Sequence, residues 1–194
     1  GAEVGRYRVL RVLGSGGLGV VYAAADPRLR RTVALKVLRT EVARNDAARL
    51  LAEARAMAKL SHPGIVAVHD FGETEDSLFI VMEYLEGRDL GEVIRECEPM
   101  PGPRVRHILS QVCRALAAAH TAGIIHRDLK PENIILAQRG RRRVVKVLDF
   151  GLAKLVHDAA GLEPLSVSRK SLTRTGVVFG TPEYMSPEQA EGTP

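Results

Sequence analysis

With 194 residues, 45% of them apolar and 26% charged, the chain has the makeup of an ordinary folded protein and room for one domain or two small lobes, which excludes disorder and collagen-like repeats. The net charge of +5 is concentrated in two arginine clusters, at 28–31 and 139–143, which lie between apolar runs as hairpin turns do and carry no interleaved aromatics, so no nucleic-acid partner is expected. No uncharged run approaches the roughly 20 residues of a membrane-spanning helix, and Cys97 and Cys113 have neither metal-ligand spacing nor a disulfide framework.

These features fit a reducing, cytoplasmic setting, with any membrane tether of a parent protein outside this sequence. Gly1 in place of Met reads as a fragment edge. Residues 7–37 read as three strands of an antiparallel meander, broken by a glycine cluster and by Asp26-Pro27. Asn45 and Asp46 offer an N-cap for a helix whose stripe is Leu50, Ala54, Met57 and Leu60, stopped by Ser61-His62-Pro63-Gly64. Residues 65–71 and 78–84 are two more strands, giving five strands and one helix before Gly87. Beyond it the character turns helical, with helices at 89–97 and 103–120, the second carrying Ile108, Val112, Ala115 and Ala119 on one face and ending at Gly123. Residues 134–136 and 144–148 form a short hairpin around the second arginine cluster. From 155 to 178 no period survives, and so long a stretch inside a compact domain is usually functional or mobile.

Gly14-Ser15-Gly16-Gly17-Leu18-Gly19-Val20-Val21 fits G-x-G-x-x-G-x-V, a spacing that lets backbone N–H groups approach phosphate oxygens. Alone it is as readily a glycine-rich hairpin turn; a dinucleotide fingerprint would need a helix after the last glycine, where strand-like residues follow. Lys36 sits in a strand apolar on both faces and needs an anionic partner, which a phosphate would supply. Glu53, on the apolar stripe of its helix, is a second candidate for that pairing. His126-Arg127-Asp128-Leu129-Lys130-Pro131-Glu132-Asn133 is far more polar than a plain connection needs to be, and Asp149-Phe150-Gly151 ends another strand. Asp128, Asn133 and Asp149 make an oxygen-rich set of the kind Mg²⁺ prefers when it also binds substrate phosphates.

In this order and spacing the glycine loop, Val33-Ala34-Leu35-Lys36, the His-Arg-Asp segment, Asp-Phe-Gly and Ser186-Pro187-Glu188 resemble the serine/threonine protein kinase family, over nearly the whole chain. The resemblance implies an α+β, bilobal kinase-like fold: a five-stranded antiparallel N-terminal lobe with one helix (1–82), a hinge (83–87) and a mainly helical C-terminal lobe (88–194). The family's second lobe continues for several helices past the Pro-Glu motif, so that lobe is expected to be incomplete here.

The resemblance implies an enzyme that uses ATP and Mg²⁺, with Mn²⁺ as a substitute, to phosphorylate serine or threonine in protein substrates. Gly14, Ser15, Gly16, Gly17 and Gly19 would cover the phosphates, Lys36 would touch them and Glu53 would hold Lys36. Val21, Ala34 and Ile135 would line the adenine slot. Met82 would precede a hinge at 83–85 in which the Glu83 and Leu85 backbone meets the base, with Asp89 near the ribose. Asn133 and Asp149 would hold the metal, Asp128 would take the substrate proton and Lys130 would neutralise developing charge. Thr181, in Gly180-Thr181-Pro182-Glu183-Tyr184, matches the serine/threonine type, and Ser186 before Pro187-Glu188 resembles bacterial members. Met57, Val68, His126 and Phe150 fall where the family stacks a spine between the lobes. Arg127 implies control by phosphorylation of the activation segment at Thr175, then Thr173, then Ser171, with self-association for phosphorylation in trans. A pseudokinase, a small-molecule kinase and a basic nucleic-acid module are the competing classes.

Overall fold

The computed structural model describes residues 2–16, 19–38, 55, 57–74, 77–96, 99–140, 142–150 and 182–187. Six antiparallel strands form the first sheet: β1 (Glu3–Val4), β2 (Tyr7–Gly16), β3 (Gly19–Asp26), β4 (Arg31–Leu38), β5 (Val68–Glu73) and β6 (Leu78–Glu83), in the order β1-β2-β3-β4-β6-β5. The meander of residues 7–37 is present as expected, and β1 adds a two-residue edge strand that is too short to leave a periodic signal.

Alternation in β4 explains why that strand is apolar on both faces. Val33 and Leu35 pack with Tyr7, Ala24, Phe79 and Val81 on one side of the sheet, while Ala34 and Leu38 join Ile80, Met82 and the helical part of the chain on the other. The expected strand at 65–71 begins later, at Val68. Ile65 and Val66, each 3% exposed, turn away from that sheet and run parallel to the last strand of the chain's second half. Of the expected helix before Ser61, residues 55 and 57–60 are described: 55, 57 and 58 are helical, whereas 59 is in a turn and Leu60 lies past the helix end, its N–H bonding the Met57 carbonyl at 3.0 Å.

A second, three-stranded sheet is built from β7 (Gly87–Asp89), β8 (Ile134–Arg139) and β9 (Arg142–Val147), with β7 inserted where a helix start was expected. Asp89 is the last residue of β7, and its Oδ1 accepts the backbone N–H of Glu92 at 2.7 Å, so it caps helix α1 (Leu90–Glu96). Helix α2 (Gly102–Thr121) buries the stripe read from the sequence, Ile108, Val112, Ala115 and Ala119. Gly123, at φ +74°, lets the chain reverse, and the Gly123 and Ile124 N–H groups bond back to His120 and Ala119 carbonyls. Phe150, fully buried, joins one continuous core with Met57, Ile80, Met82, Ile108, Val112 and Val147, so the two sheets and α2 share it. Among the described residues no helix is long and apolar enough to cross a membrane.

Candidate active site

The turn between β2 and β3 is flanked by Gly14, Ser15, Gly16 and Gly19, with Gly16 paired to Gly19. A Cβ at Gly19 would lie 2.0 Å from the Val37 carbonyl oxygen, and its φ of +154° also favours glycine, so packing alone demands that residue. Gly14 and Gly16 differ: a Cβ on either would meet nothing within 4 Å. Protein packing therefore does not require glycine there, whereas close approach of a phosphate to the backbone does. Gly17 lies outside the described residues.

Strand register collects one set of side chains beneath that turn. Val21 pairs with Lys36 and Ala34 with Met82, so these four share one face of the sheet. Lys36 is 4% exposed, and its ammonium meets the Asp149 carboxylate at 2.7 Å. Glu53, the side chain expected to hold Lys36, lies outside the described residues.

The opposing wall is the segment from His126 to Asn133. His126 is 2% exposed; its Nε2 donates to the Leu148 carbonyl at 2.7 Å and its Nδ1 accepts the Asp128 N–H at 3.3 Å, a pattern that assigns the neutral Nε2-protonated tautomer. Burial holds this imidazole below its ordinary value, outweighing the carbonyl bond and the neighbouring Asp149 and Asp128 charges. Its ring lies 4.7 Å from that of Phe150, and Met57 and Val68 pack in the same core. Arg127 takes φ +65° and Asp149 φ +54°, left-handed backbone that non-glycine residues seldom adopt and that concentrates at functional sites.

Asp128, one residue past this turn, is held on two sides. Lys130 Nζ lies 3.2 Å from its Oδ2, and Asn133 Nδ2 donates to its backbone carbonyl at 2.7 Å. Asn133 also accepts the Leu148 N–H at 2.8 Å through its carbonyl, which ties the segment to the residue before Asp149.

This donor set suits a magnesium ion bound together with phosphates. Asp149 and Asn133 offer hard oxygens of the kind Mg²⁺ takes when substrate phosphates and water supply its other ligands. Beside it Val21, Ala34 and Met82 are partly or fully buried, and Ile135 is half-buried on β8. Glu83 and Leu85 follow Met82 along the chain, while Asp89 is engaged as the α1 cap. Thr181, Thr175, Thr173 and Ser171 lie outside the described residues.

Sequence reasoning passed over Lys146. It is 6% exposed on β9, and its ammonium meets Glu83 Oε2 at 2.7 Å and the Ile65 carbonyl at 3.0 Å. The signal that singled out Lys36, a lysine inside an apolar strand, is equally present in Val144-Val145-Lys146-Val147-Leu148.

Comparison with protein families matches residues 7–194 to the protein kinase domain. The serine/threonine-protein kinase pkn3 of Myxococcus xanthus is 47% identical over 97% of this chain and 34% of its own length. The serine/threonine-protein kinase PknB of Mycobacterium leprae is 42% identical over 96% of this chain and 29% of its own. The chain thus spans about a third or less of these curated relatives. Among solved structures, the Mycobacterium tuberculosis PknI kinase domain superposes with a TM-score of 0.69 at 35% identity, over 78% of this chain and 62% of that one.

Proposed function

The chain belongs to the protein kinase domain family, and on that premise we propose that it transfers the γ-phosphoryl group of ATP, with Mg²⁺, to serine or threonine hydroxyls of protein substrates. The observation that carries this reading is the contact of buried Lys36 with Asp149, 113 residues away in sequence, beside the Asp128, Lys130 and Asn133 set. A lysine and a carboxylate placed this way can divide between them the phosphates and the cation that accompanies them.

Lys36 would bind phosphate oxygens, and the Gly14 to Gly19 turn would present backbone N–H groups to them. Asp149 and Asn133 would hold the metal, which when bound neutralises phosphate charge. Asp128 would orient the acceptor hydroxyl and take its proton, and Lys130 would balance negative charge that grows on the transferred group. Val21, Ala34, Met82 and Ile135 would enclose the adenine, with the Glu83 and Leu85 backbone facing its edge and Asp89 near the ribose. Catalysis then rests on alignment and fixed charge more than on strong deprotonation.

The same reading assigns residues 1–82 to one lobe, 83–87 to the hinge and 88–194 to the other. It assigns control to phosphorylation at Thr175, Thr173 or Ser171, which would draw the segment onto Arg127, with a second copy as the enzyme that transfers the phosphoryl group from ATP, and a cytoplasmic setting. Incubation of the protein with γ-labelled ATP, Mg²⁺ and a generic protein substrate tests the function. Label on serine or threonine is expected; nucleotide binding without any transfer would leave a binding module instead.

A further inference from the structure

Lys146 is a buried cation that the proposed phosphate and metal assignments leave unused. Its ammonium is shared between Glu83 Oε2 at 2.7 Å and the Ile65 carbonyl at 3.0 Å. Both partners are themselves held. The Glu83 N–H donates to the Ala67 carbonyl at 2.9 Å, and the Ala67 N–H reaches Glu83 Oε2 at 3.5 Å. One residue beyond Lys146, the Val147 N–H donates to Gly64 at 2.8 Å and the Val147 carbonyl accepts the Val66 N–H at 3.0 Å. Three pieces of chain meet at this ammonium: the end of β6, the 64–67 segment, and β9, which runs directly into Leu148 and Asp149.

The choice of a charged pair here needs a reason beyond stability. Removing two charges from water is costly, and an apolar pair of similar volume commonly matches or exceeds such a bridge in stability. What an ammonium adds is direction: it must keep both acceptors within hydrogen-bond reach, whereas apolar neighbours tolerate a slip along the strand. Lys146 also pairs in register with Ile135, so the two side chains share a face of the second sheet.

We infer that Lys146 is a positioning residue whose bond to Glu83 and Ile65 fixes β9, and with it Asp149, against the residues that follow Met82. The inference rests on the reading of this cleft as a phosphoryl-transfer site. A displacement on the order of 1 Å at a reacting centre can cost about 100-fold in rate, so a strand held three residues from Asp149 has kinetic leverage.

Single variants leave one charge buried alone, so the decisive protein is the double variant Glu83→Gln, Lys146→Met, which removes both charges and keeps the Glu83 backbone. It is expected to melt within a few degrees of the wild type, yet to lose about tenfold or more in kcat and to need several-fold more Mg²⁺ for half-maximal rate. Amide exchange at Val147 and Leu148 is expected to quicken about tenfold, with Ala24 in the first sheet unchanged. Wild-type exchange at Val147 and Leu148, or a wild-type rate, would overturn the inference. So would failure of the double variant to fold, which would make the pair a stabilising element. The exchange measurement does not depend on turnover, so absence of transfer in the wild type would defeat the kinase reading alone.

Discussion

Lys36 and Asp149, 113 residues apart in sequence, meet at 2.7 Å, with the lysine side chain 5% exposed and the aspartate 28%. The first sheet and the end of β9 are thereby joined through the two groups expected to divide phosphate and metal between them.

Replacing Lys36 with Met is expected to lower phosphoryl transfer by about 100-fold or more while leaving the far-ultraviolet circular dichroism unchanged, because it would remove the proposed phosphate contact and little core volume. The carboxylate left behind is partly exposed. Undiminished activity in this variant would assign the phosphate contact to another lysine.

Nucleotide affinity is expected to depend on Mg²⁺ through Asp149. Titration calorimetry should give an ATP affinity about tenfold or more higher with Mg²⁺ than with a chelator, and Asp149→Ala should remove most of that difference. Equal affinities in all four measurements would contradict the metal assignment.

Acid should destabilise the fold through His126. Burial lowers its folded-state value below the ordinary 6.5, so the unfolded chain takes up a proton first as pH falls. The stability linked to this group is present above about pH 6.5 and is lost as pH drops through the folded value. His69, held down by burial and then by Arg31, adds to the same trend. Melting temperatures from pH 7.5 to 5.5 should fall, and His126→Gln should flatten part of that slope; an identical slope would contradict the neutral-imidazole assignment.

Phosphorylation between Ser166 and Thr175 should accompany activation. Mass spectrometry after incubation with ATP and Mg²⁺ should find phosphate at Thr175 or Thr173, and the double variant Thr173→Ala, Thr175→Ala should fall several-fold in activity. Full activity in that variant, or an unmodified segment, would remove the proposed switch.

Legibility in the sequence followed the range of the interactions involved. The strands at 7–37 and the buried stripe of α2 were readable because alternation and helical period are local, and both are present. Lys36 was readable as a buried cation in need of an anion, but its contact with Asp149 was not, since partners 113 residues apart leave no local spacing and pattern pointed to a phosphate or Glu53. The same limit hid the displacement of Ile65 and Val66 toward β9, a hydrogen-bonding choice made between segments some 80 residues apart. Asp89 looked like a helix residue because capping and strand pairing both fall just before an apolar period. Lys146 carries the same local signal as Lys36, a lysine inside an apolar strand, but its partners Glu83 and Ile65, 63 and 81 residues away, leave none.

The account is tested most directly by comparing the wild type with Asp128→Asn for transfer of label from γ-labelled ATP to a protein substrate, with Mg²⁺–ATP binding measured on both. Asp128 is bound to Lys130 and, through its backbone, to Asn133, and the substitution keeps its size. Nucleotide affinity within about threefold of wild type and a loss of transfer of about 100-fold or more are predicted. Transfer at the wild-type rate in the variant would contradict the account.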